Sequence, residues 1–178
     1  VSGGTTDLLH CDAAGNILCL GTSQDLYAGQ AVDRLGVRLG FAFPAGAKVS
    51  ELAAACPEDI KPRVSVKGMN CSLSGLQNQY EQLLQQGCVP EYVCKYCLLC
   101  VAETLRRMAA AALGLHPGLP VVFAGGVMSS GLIRDYITRR MPGAQFVPGK
   151  FASDNAIGVS LLAAREVGAW PNTSASAR

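Results

Sequence analysis

Apolar and polar positions divide the chain into short extended runs and longer helical ones. Residues 6–12 and 16–20 are brief apolar runs joined by Ala13-Ala14-Gly15, which predicts a hairpin. Over residues 25–39, Leu26, Ala28, Ala31, Val32, Leu35 and Leu39 recur with helical spacing, and Gly40 is a natural stop. Phe43-Pro44-Ala45-Gly46 predicts a loop and residues 49–56 a short helix. Residues 57–69, with two prolines and the cations Lys61, Arg63 and Lys67, predict an exposed loop or ribbon. Ser72 or Ser74 then caps a helix that carries Leu76, Tyr80, Leu83 and Leu84 on one face. Residues 91–115 form the longest helical pattern, stopped by Pro117-Gly118-Leu119-Pro120.

Val121-Val122-Phe123-Ala124 has the continuous apolar character of a buried parallel strand and runs into Gly125-Gly126. A helix over residues 129–140, a short strand over 145–147 and a last helix over 154–167, capped by Ser153, complete the pattern. Nothing divides residues 1–168, which read as one unit. Residues 169–178 read as a loose tail, polar after Trp170. This succession belongs to the α/β class, with helices flanking a mixed sheet.

Composition narrows the function classes. Of 178 residues, 49% are hydrophobic and 16% charged, enough to bury a core and too apolar for a disordered chain. The apolar runs are too short and too broken to span a membrane. A net charge of +2 does not by itself indicate a nucleic-acid binder. The 8 cysteines lie within apolar patterns, and no signal peptide is evident ahead of them. They read as free thiols in a reducing, cytoplasmic compartment. The chain opens at Val1, already inside a motif, and so reads as a fragment or as a chain whose beginning is missing.

Taken singly, the chemical motifs are ambiguous. Ser2-Gly3-Gly4-Thr5 can turn backbone amides toward an anion, or simply close a tight turn. Gly125-Gly126 between a strand and a helix suits a nucleotide loop or a plain connection. Asp154 at the start of a helix can compensate the helix dipole or bind a metal, given partners. Cys94, Cys97 and Cys100 have a spacing used by iron–sulfur clusters, yet no fourth cysteine follows. On one helix face they read better as packing. His10 and His116 have no triad partner in sequence and read as structural.

Taken in order, the motifs resemble those of the tRNA threonylcarbamoyladenosine transferase family, formerly called the glycoprotease or O-sialoglycoprotein endopeptidase family. Val1-Ser2-Gly3-Gly4-Thr5-Thr6 is similar to the family's V-S-G-G-H-T, and Gly29-Gln30-Ala31-Val32-Asp33-Arg34 to its G-E-A-F-D-K. Phe43-Pro44-Ala45-Gly46 stands for Y-P-G-G, and Ser72-Leu73-Ser74-Gly75-Leu76-Gln77 for S-F-S-G-L-K. Ala124-Gly125-Gly126-Val127-Met128-Ser129-Ser130 and Ser153-Asp154-Asn155-Ala156 match A-G-G-V-x-x-N and T-D-N-A.

The resemblance implies that residues 1–168 are the C-terminal lobe of an actin-like, sugar-kinase-like ATPase fold. It implies binding of ATP or a threonylcarbamoyl-adenylate and transfer of threonylcarbamoyl to a tRNA adenosine. The nucleotide or substrate residues implied are Ser2, Gly3, Gly4, Asp33, Gly46, Gly125, Gly126 and Ser130. Among them Asp33 would hold the ribose and Gly46 would pack against the nucleotide. Asp154 would be a ligand of a divalent metal, iron or zinc, at a site incomplete in this chain. The implied partners are an N-terminal lobe or partner subunit, tRNA and other proteins of the same pathway, and no membrane.

Thr5, Gln30 and Ser130 depart from the family's histidine, glutamate and asparagine, and the family's H-x-x-x-H metal pair is not in this chain. This chain alone is therefore expected to be inactive. The alternative is a diverged, non-catalytic paralogue that serves as a nucleotide-binding or scaffolding subunit of a tRNA-modification complex.

Overall fold

The computed structural model describes residues 1–152 and 155–168. Strands β1 (Asp7–Cys11) and β2 (Ile17–Thr22) form an antiparallel hairpin whose register shifts between Leu8 and Leu9. Asp12 closes its turn. One carboxylate oxygen accepts from the amides of Ala14 and Asn16, the other from the Asn16 side chain. Helices α1 (Ala28–Arg38) and α2 (Gly46–Ala55) follow. A second antiparallel hairpin, β3 (Ser65–Lys67) and β4 (Asn70–Ser72), lies inside the segment predicted as a loop or ribbon. Next come α3 (Ser74–Gln85) and α4 (Pro90–Leu115).

Strands β5 (Val122–Phe123) and β6 (Gln145–Phe146) pair in parallel. A 3-10 turn (Gly126–Ser129) and helix α5 (Gly131–Arg140) connect them. Helices α6 (Gly149–Ala152) and α7 (Asn155–Glu166) close the described chain. The predicted cap Ser153, the metal candidate Asp154 and residues 169–178 lie outside the described residues. Among the described residues no helix is long and apolar enough to cross a membrane.

The architecture is α/β, with the strands in three two-stranded pairs and the helices carrying the core between them. A parallel bridge from Ser23 to Cys71 couples the first two pairs. The centre is α4, which packs on α2, α3 and α5. Every residue from Tyr96 through Leu105 is buried, so the helix is enclosed all round at that level. Pro90 starts it at the position where a missing N–H costs nothing. Glu103 is the charged residue in this stretch. Arg106 and Arg107 hold it from one turn along, and the Tyr136 hydroxyl donates to it from α5.

The starts of α1, α2 and α3 differ from the sequence pattern for one physical reason. The first amides of a helix need acceptors, and here those acceptors come from distant segments. α3 begins behind Leu73, whose side chain cannot cap. The Asp25 carboxylate accepts instead from the Leu73 amide (2.7 Å), the Ser74 amide (3.2 Å) and the Ser74 hydroxyl. Since Asp25 also accepts from the Leu26 amide, it stays outside α1, which begins at Ala28. Likewise Asp33 Oδ1 accepts from the Ala45 amide (2.8 Å), and α2 begins at Gly46, earlier than its apolar pattern suggests.

Candidate functional site

Residues 2–5 make a turn that closes on itself. The Ser2 amide donates to the Thr5 carbonyl, and the Ser2 hydroxyl accepts from the amides of Gly4 (3.2 Å) and Thr5 (3.1 Å). The turn rests on the start of α1, where the Gly29 amide donates to the Ser2 carbonyl (3.1 Å). A Cβ at Gly29 would stand 2.5 Å from the Gly3 nitrogen, so only glycine admits this contact. Thr6 is fully buried and ties the same corner together. Its hydroxyl accepts from the Ala28 amide (2.8 Å) and its carbonyl from the Ser23 amide (3.0 Å). Gln30 Oε1 accepts from the Tyr27 amide (3.3 Å). The Ala28 and Gly29 amides are thus spent on protein acceptors and do not face a ligand.

The second glycine loop meets the first at Val1. The Val1 nitrogen donates to the Ala124 carbonyl (2.7 Å), and the Val1 backbone lies against Gly125, whose φ of 105° suits glycine. Gly126 begins the 3-10 turn with open space where a Cβ would be. Ser130, ahead of α5, is buried, and its hydroxyl has no hydrogen-bond partner among the described residues.

A cavity of about 590 Å³ opens beside the Ser2–Thr5 turn. Gly3, Gln30, Asp33 and Val37 line it, and Arg34, Arg38, Gln77 and Glu81 add a wall of polar side chains, although most of the lining surface is apolar. That wall joins α1 to α3 through Arg34 to Gln77 (2.9 Å) and Arg38 to Glu81 (3.2 Å). Phe43 stands at the rim, 75% exposed. Asp33 uses one oxygen on Ala45, and no protein donor among the described residues bonds the other. Of the residues singled out from sequence, Gly3 and Asp33 share this cavity. Ser2 and Gly4 build the turn above it, and Gly46 follows the amide that Asp33 holds. Gly125 reaches the turn through Val1, while Gly126 and Ser130 do not line the cavity.

Among the described residues no three His, Cys, Asp or Glu side chains gather as a metal site, so these residues alone do not fit a bound metal. His10 and His116 meet instead as a stacked pair, ring centroids 4.7 Å apart, joining β1 to the end of α4. Cys94, Cys97 and Cys100 lie inside α4, all buried. Burial, reinforced by Glu91, pushes the Cys94 thiol up to about 12. Burial lifts Cys100 to about 11 and Cys97 well above its ordinary value. All three are neutral thiols that fill core space at physiological pH.

Sequence reasoning missed Thr6, Asp25 and Gly29 as the parts that fix the site, and Arg34, Arg38 and Phe43 as its walls. Gly29 did leave a signal, since glycine in a first helical turn is a poor helix former without a packing reason. Thr6 left none, because a buried threonine beside a strand is unremarkable in sequence.

The model of one protein family, described as TsaD, tRNA N6-adenosine threonylcarbamoyltransferase, matches residues 1–160. The chain belongs to the TsaD family. A tRNA N6-adenosine threonylcarbamoyltransferase of Streptococcus thermophilus is 30% identical over 177 residues, which is 93% of this chain and 52% of that protein. The enzyme of the same name from Streptococcus suis is 31% identical over 181 residues, again covering 93% of this chain and 53% of its own length. The chain therefore spans about half the length of the curated relatives it matches. A crystal structure of T. kodakarensis HypF superposes with a TM-score of 0.66 at 18% identity, over 86% of this chain and 21% of that one. At that identity the likeness is one of fold. What the two share is the arrangement of helices around small sheets.

Proposed function

We propose that this chain is the C-terminal lobe of a TsaD-type threonylcarbamoyltransferase and binds the adenine nucleotide moiety of ATP or of threonylcarbamoyl-adenylate. The cavity shared by Gly3 and Asp33 is the observation that carries this reading. Two segments thirty residues apart in sequence meet there, with a carboxylate oxygen left for a ligand. A carboxylate accepts both hydroxyls of a ribose, and a glycine turn allows close approach of a phosphate or sugar. Phe43 offers an exposed ring on which a base can stack. Ser130, with a buried hydroxyl lacking a protein partner, is the second candidate for contact with a bound molecule.

The lobe's own contribution to transfer would be to hold and orient the activated carbonyl while a tRNA adenosine amine approaches. A divalent metal, where bound, would polarise that carbonyl. Asp154, itself outside the described residues, and further donors from beyond them would have to hold it. Titration of ATP into isotopically labelled protein tests the placement. Amide shifts should concentrate at Gly3, Asp33, Ala45 and Gly46. Shifts confined to other surfaces would reject it.

The reading as a non-catalytic nucleotide-binding or scaffolding paralogue draws on Gln30. The family's glutamate is here a neutral side chain whose oxygen is already engaged by the Tyr27 amide. Threonylcarbamoyl transfer to tRNA by the complete protein separates the two. Turnover supports the enzyme, and nucleotide binding without turnover supports the paralogue.

A further inference from the structure

The ribbon before α3 has a regular pattern that the nucleotide site does not use. From Ile60 to Lys67 burial alternates residue by residue: Ile60 is buried, Pro62, Val64 and Val66 are partly covered, and Lys61, Arg63, Ser65 and Lys67 are exposed. Val64 and Val66 pack on the core, and the Arg63 carbonyl accepts from the Cys100 thiol on α4. The inner edge is therefore pinned while three cations stand on the outer one. An extended chain advances about 3.3 Å per residue, so Lys61 and Lys67 bracket a track on the order of 20 Å long. No ion pair is formed by Lys61, Arg63 or Lys67 among the described residues, and no acidic residue occurs between Ile60 and Tyr80 in the sequence.

At the end of the track lies a second cavity, of about 430 Å³, lined by Gln24, Ser65, Lys67, Asn70, Cys71 and Ser72. No carboxylate lines it. Ser65 faces Ser72 and Lys67 faces Asn70 across the β3–β4 ladder, so two hydroxyls, an ammonium and an amide share one small hairpin. Asn70 Oδ1 already accepts from the Thr22 amide (3.0 Å) and the Gln24 side chain (3.3 Å), which leaves its NH₂ as a donor. Two carboxylates near the hairpin, Asp25 and Asp7, remain charged but do not line the cavity and are held on other donors. Asp25 takes hydrogen bonds from Leu26, Leu73 and Ser74, and Asp7 takes one from the Thr22 hydroxyl (2.6 Å). Glu58 and Asp59 are exposed just before the track begins.

We propose that Lys61, Arg63 and Lys67, together with the donor-lined hairpin cavity, form a phosphodiester track that holds the backbone of the tRNA substrate. Three cations on one exposed edge, two and then four residues apart with the Ser65 hydroxyl between the last two, suit a run of phosphates, and such contacts position a strand without reading its sequence. This assignment rests on the transferase reading for the identity of the RNA, but its chemistry is separate from the Asp33 cavity.

The test measures binding of unmodified tRNA to the full chain by fluorescence anisotropy over a salt series, for the wild type and for the triple variant Lys61→Gln, Arg63→Gln, Lys67→Gln. Each lost phosphate contact removes about 0.7–0.9 from the slope of log K against log salt. The triple variant should lower that slope by about 2 and weaken binding at least tenfold in low salt, and Lys67→Glu should weaken it further than Lys67→Gln. ATP titration of the triple variant should match the wild type. An unchanged slope in the triple variant overturns the proposal, as does absence of tRNA binding by the wild type. An equal loss on Lys48→Gln, a lysine paired with Glu51 on α2, would show generic charge and overturn it too. Loss of ATP binding in an Asp33 variant whose tRNA slope is intact bears on the nucleotide reading alone.

Discussion

At the scale of single residues, Gly29 shows how contact overrides propensity. In an exposed helix, alanine in place of glycine stabilises by about 1 kcal/mol. Here the added Cβ would meet the main chain of the Gly3 turn, which has no flexible end to swing aside. Gly29→Ala is expected to destabilise by roughly 2 kcal/mol, read as a lower urea midpoint. A raised midpoint would mean that the turn does not rest on α1. Ser130 gives the opposite expectation. Its hydroxyl is buried without a partner, so Ser130→Ala should leave stability unchanged or raise it by up to about 1 kcal/mol. A loss above that in thermal melts would reveal a hydrogen bond made within the protein. A loss confined to ligand binding would place the hydroxyl on a ligand.

At the scale of elements, helix existence was legible because apolar residues recur at helical spacing in 28–38, 74–85 and 90–115. Helix starts were not, because Asp25 and Asp33 cap α3 and α2 across long stretches of chain and leave no local signature. The three-residue strands β3 and β4 are shorter than any periodicity can register, although the alternating cations beside them were visible. The α4–α5 clip makes a pH prediction. Hydrogen bonds from Arg106, then from Arg107 and Tyr136, outweigh burial and hold Glu103 at about 2. At Asp25 burial opposes the charge, but the bonds from Ser74, Leu73 and Leu26 prevail and keep it below its ordinary value. Both carboxyls have depressed folded values, so their stabilisation is complete above the unfolded range near 4 and fades as pH falls, toward about 2 in the case of Glu103. Glu103→Gln should lower stability at pH 7 by roughly 2–4 kcal/mol and flatten the acid limb of a stability–pH curve. Equal losses at pH 7 and pH 2.5 would contradict the assignment.

At the scale of the whole molecule, the resemblance to known motifs carried the reading further than composition did. It linked Gly3 to Asp33, and the fold places both on one cavity. It linked Gly126 and Ser130 to the same pocket, but neither lines that cavity in this chain, which is about half the length of its relatives. The cavity's polar wall was hidden because Arg34, Arg38, Gln77 and Glu81 look in sequence like the solvated faces of two unrelated helices. The central claim is that this cavity holds a nucleotide through Asp33. The decisive measurement is calorimetric titration of ATP into the wild type and Asp33→Asn. Asparagine keeps an oxygen for the Ala45 amide and removes the charge. Affinity should fall about tenfold or more, the lower end for a charge-assisted hydrogen bond, with the melting temperature little changed. Equal affinity in the two proteins, or no binding to either, would contradict the account.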